Sequence, residues 1–161
     1  MDNERFIWKT RPLAATENIQ VCGNVRITVL AARLLRIEYS DRGRFEDRAS
    51  QSVFYRDFAP CAYETVRDGA WLTVETAALR LCCRTDVPFS ADTLTIVLKN
   101  EPASCWHYGD APETLGGTTK TLDSVNDGIP LGDGLCSRLG YALLDDSSTM
   151  RLGEDGWVVP R

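Results

Sequence analysis

Apolar and polar residues alternate with a period of two through most of the first two-thirds of the chain. Residues 25–29 read VRITV, the alternation of a strand with one buried face. Residues 35–39 (LRIEY) alternate again and end in the turn-forming Ser40, Asp41, Arg42 and Gly43. Residues 64–66 and 71–75 flank Arg67-Asp68-Gly69-Ala70, and Asp-Gly between two such runs signals a hairpin. Residues 79–84 and 94–98 predict the next strands, and 141–144 and 157–159 two more. No stretch carries the repeat of an amphipathic helix. Alternation that buries one face of each strand favours antiparallel pairing, so the expectation is an all-β, antiparallel β-sandwich occupying residues 1–161 as one domain.

The backbone changes character toward the end. Nine of the twelve glycines lie between Gly109 and Gly156. Dense glycine supplies tight turns and suits loops that shape a ligand-facing surface.

The chain has 161 residues, of which 43% are hydrophobic and 25% charged, the balance of a folded globular domain. Its net charge of −5 and pI near 4.9 disfavour nucleic acid, which needs clustered positive charge. Arginine outnumbers lysine fifteen to three, but the arginines are scattered, as on solvated strand faces with a few salt bridges. No apolar run is long enough for a membrane-spanning helix, and the charged start MDNERFIWKT lacks the apolar core of a signal peptide, so a cytoplasmic location is expected.

Candidate chemistry is sparse. The six cysteines form no CxxC pair and there is one histidine, His107, so no metal or other cofactor is expected and the thiols read as reduced, mostly small core residues. Adjacent Asp145 and Asp146 fit a turn or cap better than an acid/base dyad, and His107 a packed or surface role. Trp8, Trp71, Trp106 and Trp157 are either core residues or flat platforms for sugar rings.

In this order and spacing, certain strings resemble glycoside hydrolase family 31, the α-glucosidases and α-xylosidases. They are residues 25–40 (VRITVLAARLLRIEYS), 45–51 (FEDRASQ) with Arg56-Asp57-Phe58, 88–96 (PFSADTLTI), 115–123 (LGGTTKTLD), 134–147 (GLCSRLGYALLDDS) and 155–161 (DGWVVPR). The resemblance spans about residues 17–161 and implies a galactose-mutarotase-like β-sandwich, the domain that precedes a catalytic (β/α)8 barrel in that family. The barrel carries both catalytic aspartates of a retaining mechanism, so no catalytic residue is assigned in this chain. The chain ends where such a barrel would begin.

The resemblance also implies that a loop of the sandwich leans over the barrel mouth and contributes to the substrate rim, with Asp123 the first candidate for the contact and Asp127 the second. The partners expected are thus the barrel of the same polypeptide and an α-linked sugar, with neither nucleic acid nor membrane. A stand-alone carbohydrate-binding module is the alternative, and a mutarotase-type sugar epimerase a third possibility that lacks an evident base and acid. A domain shaped to pack on a barrel exposes an apolar patch or a bare sheet edge, which predicts self-association in isolation.

Overall fold

The computed structural model describes residues 7–99, 104–111, 113–117, 128, 132 and 134–159. The chain divides into two compact units, one formed by Met1–Gly109 with Asp146–Arg161 and the other by Asp110–Asp145.

The larger unit is an antiparallel β-sandwich. Strands β1 (Ile19–Cys22), β2 (Val25–Ala31) and β3 (Leu34–Tyr39) form a three-stranded sheet in chain order. Strands β4 (Tyr63–Asp68), β5 (Trp71–Thr76), β6 (Leu79–Arg84), β7 (Leu94–Leu98) and β8 (Ser104–His107) form a five-stranded sheet, also in chain order. A two-stranded ribbon pairs β9 (Arg151–Leu152) with β10 (Val158–Val159). In both larger sheets each strand pairs with the next in the chain, and the β2–β3 register shifts at a bulge between Val29 and Ala31.

The two larger sheets bury the residues the alternation marks as apolar. Val25, Ile27 and Val29 of β2, Leu72 and Val74 of β5, Leu81 and Cys83 of β6 and Leu94 of β7 are at most 1% exposed. Each of the larger side chains contributes about 1.5–3 kcal/mol by leaving water. Burial pushes the Cys83 thiol up to about 12, which keeps it neutral and inert. Polar stitches close the margins: Thr76 Oγ1 donates to the Ala32 carbonyl at 2.7 Å, and the Asn24 N–H to the Thr85 carbonyl at 2.8 Å. The turn between β1 and β2 needs glycine, because Gly23 has φ +55° and a Cβ there would lie 2.5 Å from the Thr85 carbonyl oxygen.

Several expectations are revised. β2 is not half-buried: Arg26 and Thr28, on its outward face, are 6% and 2% exposed. An irregular segment, residues 44–58, covers that face and supplies its polar partners. The arginines are not all solvated, since Arg56 and Arg151 are 2% and 6% exposed. Of the cysteines only Cys83 is buried; Cys105 and Cys136 are exposed and the rest half-buried, all as free thiols. Residues 141–144 form no strand and make only an isolated bridge between Ala142 and Cys136, because the chain there reverses around Gly140. β1, β8 and β9 were not foreseen. Among the described residues no helix is long and apolar enough to cross a membrane.

Among its described residues the smaller unit is held by backbone bonds and isolated bridges rather than by strands or helices. Leu115 N–H donates to the Cys136 carbonyl at 3.0 Å, Arg138 N–H to Glu113 at 2.9 Å and Gly117 N–H to Gly132 at 2.7 Å. Its glycines allow chain to lie directly on chain, as a Cβ on Gly134 would sit 2.4 Å from the Gly116 carbonyl oxygen.

Candidate functional site

The outward face of the three-stranded sheet carries the densest chemistry in the larger unit. Arg26 and Glu38 stand opposite each other on β2 and β3. Arg26 forks onto Glu38 through Nε at 2.6 Å and NH2 at 3.0 Å, and reaches Asp47 through NH1 at 2.5 Å. Its guanidinium also lies over the Phe45 ring, 4.9 Å from the centroid. Arg36 reaches Glu38 at 2.8 Å and donates to the Glu46 carbonyl at 2.5 Å. Residues of FEDRASQ thus dock onto the sheet through charge-assisted hydrogen bonds, the strongest kind available to side chains.

The same segment is gripped from a second side. Ser50, fully buried, donates its hydroxyl to the Asp146 carboxylate at 2.8 Å, across 96 residues of sequence. Arg56 donates to the carbonyls of Pro12 and Arg48 at 3.3 and 3.0 Å, with Asp146 at 3.9 Å. Arg151 donates to the Asp146 and Thr149 carbonyls, and its Nε forms an ion pair with Glu46 at 3.5 Å without a hydrogen bond. Backbone pairing adds Leu152 N–H to Ala49 at 2.9 Å, Gln51 N–H to Met150 at 3.1 Å and Arg56 N–H to Arg11 at 2.7 Å.

Electrostatics follow from this packing. Desolvation lowers Arg36 to about 10; the Glu38 charge opposes it, while the nearby Arg56 and Arg26 charges lower the group further. Desolvation likewise lowers Arg56. Desolvation is also the largest influence on Arg26, but its bonds to Glu38 and Asp47 together outweigh it and raise the group. Glu46 is held down to about 2, first by its hydrogen bond from Arg48. With Arg36 near 10 and Glu46 near 2, both keep their charges within the cluster near neutral pH. Its charges are spent on one another and on carbonyls, so it is a clamp rather than a catalytic centre.

What the clamp presents is aromatic. Trp8 is 59% exposed and packs its ring 5.1 Å from Phe54; Tyr55 is 48% exposed beneath the Arg11 guanidinium, which pairs with Asp57 at 2.8 Å. Trp157, 58% exposed, is brought to the same N-terminal segment by Gly156. A Cβ on Gly156 would lie 2.5 Å from Ile7 Cγ2 and 3.2 Å from the Trp8 nitrogen, and φ there is +75°. Trp8, Phe54 and Tyr55 thus form one partly exposed aromatic surface, and the backbone preceding Trp157 packs against it. Trp106, by contrast, is buried.

Another concave feature is an open depression of about 410 Å³ between Ala62–Glu64, Glu75–Ala77 and Lys99. Lys99 is bonded there to Glu75 and to the Thr76 carbonyl, each at 2.7 Å, and the bond from Arg80, then that from Lys99, holds Glu75 near 2. Of its three charged residues, Glu75 and Lys99 neutralise each other, so Glu64 is the one left to orient a ligand.

Asp123 and Asp127 lie outside the described residues. Asp146, expected only in a turn or cap, is a central acceptor of the clamp. His107 is exposed on β8 with Cys105 Sγ 3.7 Å from its Nε2. Among the described residues no group of three or more His, Cys, Asp and Glu side chains is placed to hold a metal ion. The clamp roles of Asp146 and Arg56 were missed because Ser50 and Pro12, which they meet, lie 96 and 44 residues away; that of Arg151 was missed because a buried arginine reads like a solvated one.

No protein-family model matches the chain, and no curated protein matches it significantly.

Proposed function

We propose that this chain is the non-catalytic N-terminal β-sandwich of a retaining α-glycosidase resembling family 31, with a galactose-mutarotase-like topology. Its task is to pack against a catalytic (β/α)8 barrel of the same polypeptide and to contribute a loop, through Asp123 and then Asp127, to the rim that holds an α-linked sugar. The observation that carries this reading is the meeting of its signature strings. FEDRASQ supplies Glu46, Asp47 and Ser50, the following Arg-Asp-Phe supplies Arg56, and GLCSRLGYALLDDS supplies Asp146, all in one clamp. Strings that are weak singly gain weight when residues far apart in sequence prove to be mutual partners. Free thiols at all six cysteines suit a reducing compartment such as the cytoplasm.

The test is to isolate the native polypeptide from its source with an antibody to this chain, then measure its mass and its hydrolysis of aryl α-glucosides and α-xylosides. The expected result is a polypeptide longer by about 200 residues or more, hydrolysing one of these with retention of configuration. A native mass of 17.9 kDa without such activity would overturn the proposal.

The exposed faces of Trp8 and Trp157 favour a second reading, a carbohydrate-binding module that works alone. It requires tryptophan fluorescence of the isolated chain to respond to maltose or to xylosides. The domain reading expects no response, because the rim is completed only by the barrel.

A further inference from the structure

The six free thiols differ in their surroundings. Cys83 is fully buried, and burial pushes it up to about 12, so it stays protonated and unreactive. Cys22, Cys61 and Cys82 are half-buried, and Cys82 Sγ accepts from the Thr73 hydroxyl at 3.8 Å. Cys105 and Cys136 are exposed. Exposure alone makes neither of these two a site. What separates them is the chain's single histidine.

Cys105 and His107 lie two residues apart on β8, so both side chains leave the same face of the strand. Trp106 between them turns to the other face and is buried. β8 ends the five-stranded sheet, so among the described residues no further strand flanks the pair. Cys105 Sγ and His107 Nε2 are 3.7 Å apart, within reach of a sulfur hydrogen bond, and the Trp106 carbonyl is farther off at 4.0 Å. A nucleophile and a base in such contact are the elements of an activated thiol. With its own proton on Nδ1, the imidazole is the acceptor and the thiol the donor. Across the sheet, Cys105 faces Val97 and His107 faces Thr95 of β7. One strand further, Val97 and Thr95 face Arg80 and Cys82 of β6. Arg80 is itself paired with Glu75 at 2.8 Å, so the group in contact with the Cys105 thiol is the imidazole.

We infer that Cys105 is a thiolation site, a nucleophile whose proton His107 accepts as it attacks a low-molecular-weight disulfide. A bond forms between Cys105 Sγ and one sulfur of the reagent as the reagent's own S–S bond breaks. The second sulfur leaves as a thiolate and takes the proton back from the His107 imidazolium, so a free thiol is released. Cys105 is oxidised to a mixed disulfide and the departing sulfur is reduced. Added thiol reverses the step. This stands apart from the glycosidase reading, since it concerns neither hydrolysis nor native length.

The test exposes the 161-residue chain to glutathione disulfide at neutral pH and follows each cysteine by peptide mass spectrometry. Cys136 serves as the exposed thiol without a histidine. Cys105 is expected to gain glutathione about tenfold faster than Cys136, and dithiothreitol to remove it. His107→Gln, at an exposed position, should erase that advantage and leave the Cys136 rate unchanged. Equal rates at the two thiols of the unsubstituted chain would overturn the inference, as would faster reaction at Cys136. So would an advantage of Cys105 that survives His107→Gln, since exposure alone would then account for it.

Discussion

β2 is buried on both faces, and the two faces are built of opposite materials. Toward the five-stranded sheet it presents Val25, Ile27 and Val29, all fully buried among apolar side chains. Away from that sheet it presents Arg26 and Thr28, buried beneath a segment without regular structure. The inner face gains by removing carbon from water and tolerates many apolar sets of the right volume. The outer face gains by satisfying charge, and it fixes where one segment lies because each guanidinium accepts few geometries. One face makes the sandwich stable; the other makes residues 44–58 adopt one place on it.

Substitutions separate the two faces. Ile27→Ala is expected to destabilise the larger unit most, by about 4 kcal/mol, since it removes a fully buried branched side chain and leaves a cavity. Urea unfolding followed by far-ultraviolet circular dichroism reads this directly.

Arg26→Ala should cost somewhat less, about 3 kcal/mol, because it leaves the Glu38 carboxylate, only 15% exposed, to Arg36 alone and takes the partner from Asp47. Pairing an apolar replacement at both positions, Arg26→Met with Glu38→Leu, should recover part of that loss, since Arg36 then gives up Glu38 but keeps the Glu46 carbonyl. If the double variant were no better than the single one, the penalty would not come from an uncompensated buried charge.

Acid distinguishes the faces as well. The Glu46 pKa is depressed from 4.5 to about 2, so its contribution is fully present above 4.5 and is lost as pH falls through that interval. Its carboxylate is 28% exposed, so solvent screening reduces the contribution to about 1 kcal/mol. Glu46→Gln should therefore cost about 1 kcal/mol near neutral pH and approach nothing at about pH 2. A stability gap between the two proteins that persisted at low pH would show that Glu46 acts by packing.

The smallest effect is expected beside the aromatic surface. Trp157→Ala should change unfolding stability by less than about 0.5 kcal/mol, as for exposed positions generally. A larger loss would show that the indole packs as part of the core.

The same contrast explains what could be read in advance. The strands of the inner layer were legible because an apolar residue at every second position advertises its own burial, as in residues 25–29, 71–75 and 79–84. The sandwich class followed from those runs alone. Arg26 in VRITV looks the same whether its head meets water or Glu38, so the second buried face was invisible. Ser50 and Asp146 are partners across 96 residues, and nothing local in either string announces the other. β1 was missed because IQVC is brief and only weakly alternating, and β8 because SCWH is equally brief. The aromatic surface was half-legible: four tryptophans were visible as candidates, but nothing local marks Trp106 as the buried one.

Hydrogen exchange of the Asp146→Ala variant tests the clamp most directly. Asp146 accepts from Ser50 and faces Arg56, so removing it should release residues 44–58 while sparing the apolar core. The account predicts that amides bonded across the clamp, Arg56 to Arg11 and Leu152 to Ala49, exchange about tenfold or more faster, while amides of β2, β5 and β6 are little changed. Unchanged exchange in residues 44–58, or an equal acceleration in every strand, would contradict it.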